Sequence, residues 1–251
     1  MFKKTILMIA VLLWSGLAFA AHPLITDDTG TQGKGKFQLE LNGEYGHENE
    51  NGIVENTTNI ATALTYGIVD NIDVVLGIPY QYIRIRDSES TTRHDGISDV
   101  SIDLKWRFYE KDGLGFALKP GITLPTGDDE RGLGAGRTTY GLFFITTREM
   151  KPWAFHLNLG YKKSENRINE RKDLWHASLA GEAEVAKDLK AVVNIGVERN
   201  PGKEATTHPA FILGGFIYSL NERLDIDAGV KAGINKAETD YSLLAGLTYR
   251  F

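Results

Sequence analysis

The chain has 251 residues, with 28 Lys and Arg against 33 Asp and Glu for a formal charge of −5, and no cysteine. The missing cysteines exclude a disulfide scaffold, a thiolate metal site and a lipidated N-terminal cysteine together. The mild acidity argues against a nucleic-acid partner or a protein of anionic lipid surfaces, whose footprint is basic.

Met1 to Ala20 begins with Lys3 and Lys4, runs apolar from Ile6 to Trp14 and ends in Ala18-Phe19-Ala20. A basic start, a short apolar run and a small-x-small site make a secretory signal, so residues 1–20 are expected to be removed near Ala20. Loss of both lysines leaves 26 basic against 33 acidic side chains, −7, in the mature chain. The run is too short for a spanning helix, and no later stretch approaches the roughly 20 apolar residues one needs. The stretch 21–35 has no period: His22-Pro23, Asp27-Asp28, Gly30, Gly33 and Gly35 mark it as a periplasmic N-terminal segment, with a plug folded into a lumen as the alternative.

From Lys36 the pattern changes to period two. Twelve segments suit tilted membrane strands of about 9 to 11 residues: Lys36 to His47, Thr57 to Tyr66, Ile72 to Ile85, Ser98 to Tyr109, Leu114 to Leu124, Arg137 to Arg148, Trp153 to Lys162, Leu174 to Val185, Leu189 to Arg199, Pro209 to Leu220, Leu224 to Asn235 and Tyr241 to Phe251. The cleanest alternation sets Leu224, Ile226, Ala228, Val230, Ala232 and Ile234 against Asp225, Asp227, Gly229, Lys231, Gly233 and Asn235. In the last segment one face is Tyr241, Leu243, Ala245, Leu247, Tyr249 and Phe251, and Leu244 is the exception on the polar face. Alternate strand side chains point to opposite sides. A charge facing lipid at mid-bilayer costs about 2 to 4 kcal/mol, so the charged face must look into a lumen. Mean hydropathy of −0.24 is compatible with this, because only every second residue meets lipid.

The fold expected is all-β, a transmembrane antiparallel up-and-down β-barrel of about 12 strands over residues 36–251. It must close, since hydrocarbon offers no partner to an open strand edge. Short connections (Val69 to Asn71, Glu110 to Gly113, Glu149 to Pro152, Ala186 to Asp188, Asn221 to Arg223) take turns with longer polar ones (Glu48 to Asn56, Arg86 to Ile97, Pro125 to Gly136, Lys163 to Asp173, Asn200 to His208, Lys236 to Asp240). Barrels of this class keep short turns periplasmic and long loops outside. Aromatics gather near both strand ends, Tyr66, Phe108, Trp153, Tyr218, Tyr249 and Phe251 at one and Tyr45, Tyr80, Tyr82, Tyr161, Trp175 and Tyr241 at the other, as interfacial girdles do.

The parity makes Glu40, Glu44, Asp103, Lys105, Arg107, Lys119, His156, Lys162, His176, Glu182, Glu184, Asp225, Asp227, Lys231 and Arg250 the candidate lumen-lining residues; Asp73, Lys190 and Glu198 share the polar face. Both signs are interspersed, so pairing across the barrel is the first reading, and no single-sign ladder marks an ion filter. Inward glycines at 77, 115, 121, 160, 196, 229, 233 and 246 leave room and lean toward passage. Asp128, Asp129 and Glu130 lack calcium-loop spacing and read as a solvated acidic loop, so no metal, cofactor or catalytic residue is assigned. His176 and Ser178 share a face with Asn194 nearby, as in outer-membrane phospholipases, but here they point to the lumen while Trp175, Ala177 and Leu179 take the lipid side. Two polar lumen liners is the preferred reading.

Thr123-Leu124-Pro125-Thr126-Gly127-Asp128, followed by Gly132-Leu133-Gly134-Ala135-Gly136, resembles the outer-membrane transporters grouped as the meta-pathway of phenol degradation family, and Thr26 to Gly35 is similar to the start of its members. The resemblance covers essentially the mature chain. It implies an outer-membrane barrel passing aromatic or other hydrophobic compounds, and carries over no catalytic residue. The function expected is therefore a non-enzymatic, porin-like transporter or channel of the bacterial outer membrane. Its partners would be outer-membrane lipid, the barrel-assembly machinery during biogenesis and a small solute. A lumen-sealed structural or adhesive barrel is the alternative, and a barrel lipid hydrolase the third.

Overall fold

The structure, a computed structural model, describes residues 22–251; the expected signal, 1–20, and the cleavage near Ala20 lie outside the described residues. Thirteen β segments follow in chain order: β1 (Phe37–Glu50), β2 (Ile53–Val69), β3 (Ile72–Arg86), β4 (Thr91–Ile97), β5 (Val100–Lys111), β6 (Leu114–Leu124), β7 (Thr139–Met150), β8 (Trp153–Ser164), β9 (Asp173–Ala186), β10 (Leu189–Glu198), β11 (Ala210–Asn221), β12 (Leu224–Gly233) and β13 (Tyr241–Arg250). Each pairs antiparallel with its neighbours, and β1 pairs with β13, so the sheet closes. The seam runs from Gln38 opposite Arg250 to His47 opposite Tyr241, and Phe37 and Phe251 exchange both backbone hydrogen bonds at 2.9 and 3.0 Å. Strand pairing runs unbroken around the ring, which is the closure that hydrocarbon would require of a sheet.

Segments β4 and β5 occupy one position in the wall. Both pair with β3, β4 with its upper half (Tyr80 opposite Ile97) and β5 with its lower half (Gly77 opposite Ser101), and the break falls at Ser98-Asp99. The barrel is thus twelve-stranded. Outward positions are apolar and open to the surroundings, for example Leu41, Ile60, Ile78, Leu142, Leu159, Ile212, Val230 and Leu243, whereas the charged alternates are largely buried inside. At the short-turn end Phe37 packs between Tyr66 and Phe251, with ring centres 4.6 and 5.6 Å away, and Phe116 lies 6.2 and 5.9 Å from Phe108 and Phe144. At the other end the Tyr80 hydroxyl donates to Asp95 at 2.7 Å, so the ring stays outside and its oxygen stays with polar groups.

Two of the six expected long connections are not loops. The first, Glu48 to Asn56, is a tight hairpin: ladder pairing continues to Glu50 opposite Ile53, and Asn51-Gly52 turns with φ of 51° and 82°. Two consecutive positive φ values define the turn whose twist matches a hairpin, and Asn-Gly is the dipeptide that adopts it most readily. The second, Arg86 to Ile97, shrinks to residues 87–90, where the Asp87 carboxylate accepts from the Glu89 and Ser90 backbone N–H groups at 2.8 and 2.6 Å. β1 to β4 therefore project as two long hairpins.

Leu244 has a structural reason to break parity. It is buried on the inner face against Phe211 and Leu213, and Ile25 of the N-terminal segment packs on that cluster. Leu24 makes the same kind of contact with Ala180, Val192 and Ile217.

Candidate functional site

Residues 22–35 lie inside the barrel, against inward side chains. Gly67 of β2 exchanges backbone bonds with this segment and its continuation, accepting from Gly35 at 2.8 Å and donating to Lys36 at 3.0 Å. From there the segment visits the wall in circumferential order. Gln32 N–H donates to Asp73 on β3 at 2.9 Å, and Thr29 N–H donates to the Thr147 hydroxyl on β7 at 2.9 Å. Asp27 N–H donates to Asn158 on β8 at 2.8 Å, and the same amide side chain donates back to the Asp27 carbonyl at 2.8 Å. Thr26 donates its hydroxyl to Ser178 on β9, and Asn194 on β10 accepts from the backbone N–H groups of Ile25 and Thr26. His22 ends the arc at Asp227 on β12, Nδ1 to Oδ1 2.5 Å. Fourteen extended residues reach about 46 Å, long enough to follow the inner wall.

The inward glycines receive this segment. A Cβ on Gly229 would sit 2.9 Å from Pro23, one on Gly115 would strike the Thr29 side chain, and one on Gly246 would meet His22 and Asp227. Others are filled by the wall itself: the Phe143 ring covers Gly160, the Phe211 ring covers Gly196, and Asp103 occupies the space over Gly121. The expected room along the glycines is real in the wall and occupied in the assembled barrel.

Electrostatics fix the centre of the arc. Asp27 is fully buried and accepts from Lys105 Nζ at 2.9 Å and Lys119 Nζ at 3.0 Å, while Lys105 also reaches Asp28 at 3.6 Å. Two lysines on neighbouring strands, both buried, balance a carboxylate that the segment supplies. Glu40 lies within the field of Asp27, Lys119 and Lys105; Asp103 within that of Lys119 and Lys162; and Lys162 within that of Glu198. Glu40 Oε2 and Asp73 Oδ1 are buried without a hydrogen-bond partner among the described residues, so both signs balance as a group rather than pair by pair.

The remaining candidates fall into two groups. His156, buried, bonds Thr147 at 3.0 Å, and Glu44 pairs with Lys231 at 2.9 Å, with Glu238 3.3 Å from the same ammonium. Burial pushes the loop carboxyl of Glu238 above its usual range, and Lys231 pulls it back. Toward the short-turn end Asp225 pairs with Arg250 at 2.6 Å, Glu182 with Lys190 at 2.8 Å and Arg107 with Glu110 at 3.1 Å, and Glu184 is exposed. His176 and Ser178 are brought together, Nε2 to Oγ 2.8 Å, and are buried on the lumen side with Thr26 on the serine; Asn194 is spent on the segment.

The outer loops interlock. Gly127 and Ala135 donate backbone N–H groups to the two oxygens of Asp99 at 2.9 and 2.8 Å, and Leu133 is buried beneath them. Asp128 caps the single 3-10 turn, Asp129–Arg131, by accepting from the N–H groups of residues 130 and 131, which is the structural use of that acidic run. A Cβ on Gly127 would fall 2.1 Å from the Leu133 carbonyl and one on Gly134 2.3 Å from Asp99, so the glycine motif is the condition for this fold-back. Arg167 N–H then bonds the Ala135 carbonyl at 2.9 Å, and Arg171 N–H the Pro201 carbonyl at 2.8 Å, joining three loops into a collar.

Sequence reasoning missed Asp27 and His22 as members of the lumen network, and Glu48 and Glu55 as inward residues; Asn158 and Asn194 were on the inward face but not assigned to the segment. The adjacent acids Asp27-Asp28, and the uncharged asparagines among charged neighbours on the polar face, were the available signals.

The family model described as "Putative MetA-pathway of phenol degradation" matches residues 20–251. The chain belongs to this family. Among solved structures it is similar to the COG4313 outer membrane channel from Pseudomonas putida F1, at 13% identity, TM-score 0.67, over 89% of this chain and 98% of that one. It is also similar to the translocator domain of the autotransporter NalP from Neisseria meningitidis (12%, TM-score 0.55, 87% and 89%) and to the NanC porin (9%, TM-score 0.52, 84% and 98%). At these identities the likeness is one of fold, shared by proteins named as channel, translocator and porin. No curated protein sequence matches the chain significantly.

Proposed function

We propose that this protein is a non-enzymatic outer-membrane channel for small hydrophobic or aromatic solutes, with residues 22–35 forming its constriction. The observation that carries the reading is the way the lumen is filled. The wall is cut back to glycine beside Pro23, Thr29 and His22, and the occupant is a segment held by side-chain hydrogen bonds and one buried ion cluster, outside the ladder of the barrel. Such contacts exchange without breaking the barrel, whereas a sealed barrel would fill its lumen from the wall. The family's description supports the aromatic class, and withdrawal of the segment would uncover the inward Phe211, Leu213 and Leu244, on which Ile25 packs.

Planar-bilayer conductance and liposome swelling with phenol, benzoate and catechol test this reading. The full chain is expected to pass small solutes slowly, and a chain lacking residues 22–34 to conduct severalfold more. A barrel closed to every solute in both forms would overturn it.

A further inference from the structure

At the outer end of the lumen, Glu48 of β1 and Glu55 of β2 are direct cross-strand partners, and both side chains point inward. Like charges directly opposed on antiparallel strands repel, and here the repulsion is not relieved by water, since each residue is only 9% exposed. Glu48 Oε2 is buried with no hydrogen-bond partner among the described residues, while Glu55 accepts only a long bond of 3.4 Å from Thr57. The strongest charges acting on Glu48 are all negative: Glu55, Glu50, Asp240 and Glu238. The lysine beside this recess is committed elsewhere: Lys231 is shared by Glu44, which lines the recess, and Glu238. These carboxylates open on a recess whose other walls are Glu44, Gly46, Thr57, Asn59, Thr239 and Ser242, with Glu44 already paired to Lys231 and the rest supplying hydroxyl and amide oxygens.

We propose that this recess is a binding site for a monovalent cation, the ammonium group of a small amine solute or an alkali ion, held between Glu48 and Glu55. An ammonium group donates to both carboxylates at once, and an alkali ion is coordinated by them together with the hydroxyl and amide oxygens; either one cuts the net charge of the pair from −2 to −1. A divalent ion is a poorer fit, since no cluster of three or more metal-ligating acids or histidines exists among the described residues. A buried charge persists when it is paired, and removing a partner is costly; an arriving cation supplies the partner that the chain omits. Among the described residues neither Glu48 nor Glu55 hydrogen-bonds the N-terminal segment, and the proposal does not depend on whether the lumen conducts.

The test is the thermal unfolding midpoint of the full chain folded in detergent, at pH 8 and fixed ionic strength. Sodium, potassium, methylammonium and benzylammonium chlorides are compared with tetramethylammonium chloride, whose cation has no N–H and is too bulky for the recess. A saturable rise of about 2 to 4 °C is expected with a binding cation, and it should be lost in both E48Q and E55Q. A rise with methylammonium and benzylammonium alone identifies an amine solute, and a rise with sodium or potassium alone identifies an inorganic ion. Equal midpoints in every salt, or a rise that survives both substitutions, would overturn the proposal. So would a midpoint that is flat in every salt at pH 8 but rises in tetramethylammonium chloride alone when the pH is lowered to 5, which would mean that the two carboxyls share a proton.

Discussion

The inner wall treats its buried charges in two opposite ways. Along the arc from β3 to β12 the N-terminal segment supplies what the wall lacks: Asp27 sits between Lys105 and Lys119, His22 meets Asp227, and asparagine side chains on β8 and β10 take up backbone N–H groups. At the outer ends of β1 and β2, Glu48 faces Glu55 with no cation among the described residues between them. Matched buried charges hold a fixed structure together, whereas unmatched ones are tolerated where an external ion completes them. The contrast separates a part of the lumen made to be occupied by the chain from a part made to be occupied by something else.

The largest way to break this contrast is Asp27→Ala. It leaves two buried lysines facing one another across neighbouring strands, and removal of one partner from a buried ion cluster costs about 3 to 5 kcal/mol. The segment should leave the wall, seen as cleavage near residue 30 by a protease that spares the wild type, together with a rise in single-channel conductance. Asn194→Ala comes next. It strips acceptors from the Ile25 and Thr26 N–H groups and should cost about 1 to 3 kcal/mol for groups left buried, read as partial protease sensitivity and a smaller conductance rise. On the other side of the comparison, Glu48→Gln in a medium without a binding cation is expected to stabilise the barrel, by about 0.2 to 1 kcal/mol as a directly opposed like-charge pair is relieved, measured by urea unfolding. The smallest effect is assigned to Lys163→Met. Its ion pair with Asp173, at 3.0 Å, is open to solvent, so its unfolding curve should overlay that of the wild type.

The barrel was readable because its period is imposed by the environment. One face of each strand must be apolar and the next residue must not, so Leu224 to Gly233 announces itself without any knowledge of its neighbours. The hairpin ends were harder. Asn51-Gly52 carried the signal for a tight turn, but the polar residues around it, His47 to Asn56, resemble a loop because that part of the wall projects beyond the hydrocarbon and needs no apolar face. Break points at Ser98-Asp99 have no periodic signature either, since Asp99 is there to hold Gly127 and Ala135 in a different loop. Leu244 marked a lumen contact in advance, as an apolar residue on the polar face. The path of residues 22–35 was not legible: an aperiodic stretch with three glycines and one proline reads the same in water as against a wall, and its partners lie from about 40 to more than 200 residues away in the chain. For the same reason Glu48 and Glu55 were absent from the inward candidates, because they became strand residues only with the longer hairpin.

The most direct test of the central claim, that the N-terminal segment lines the lumen, uses the absence of native cysteine. The hydroxyls of Thr26 and Ser178 are 2.7 Å apart, so the double variant T26C/S178C should form a disulfide in isolated outer membranes, and its oxidised form should keep the low conductance that reduction leaves free to rise in combination with Asp27→Ala. A control pairing T26C with a cysteine at Leu179, on the lipid side of the same strand, should not cross-link. Cross-linking of the control as readily as T26C/S178C, or none in either, would contradict the account.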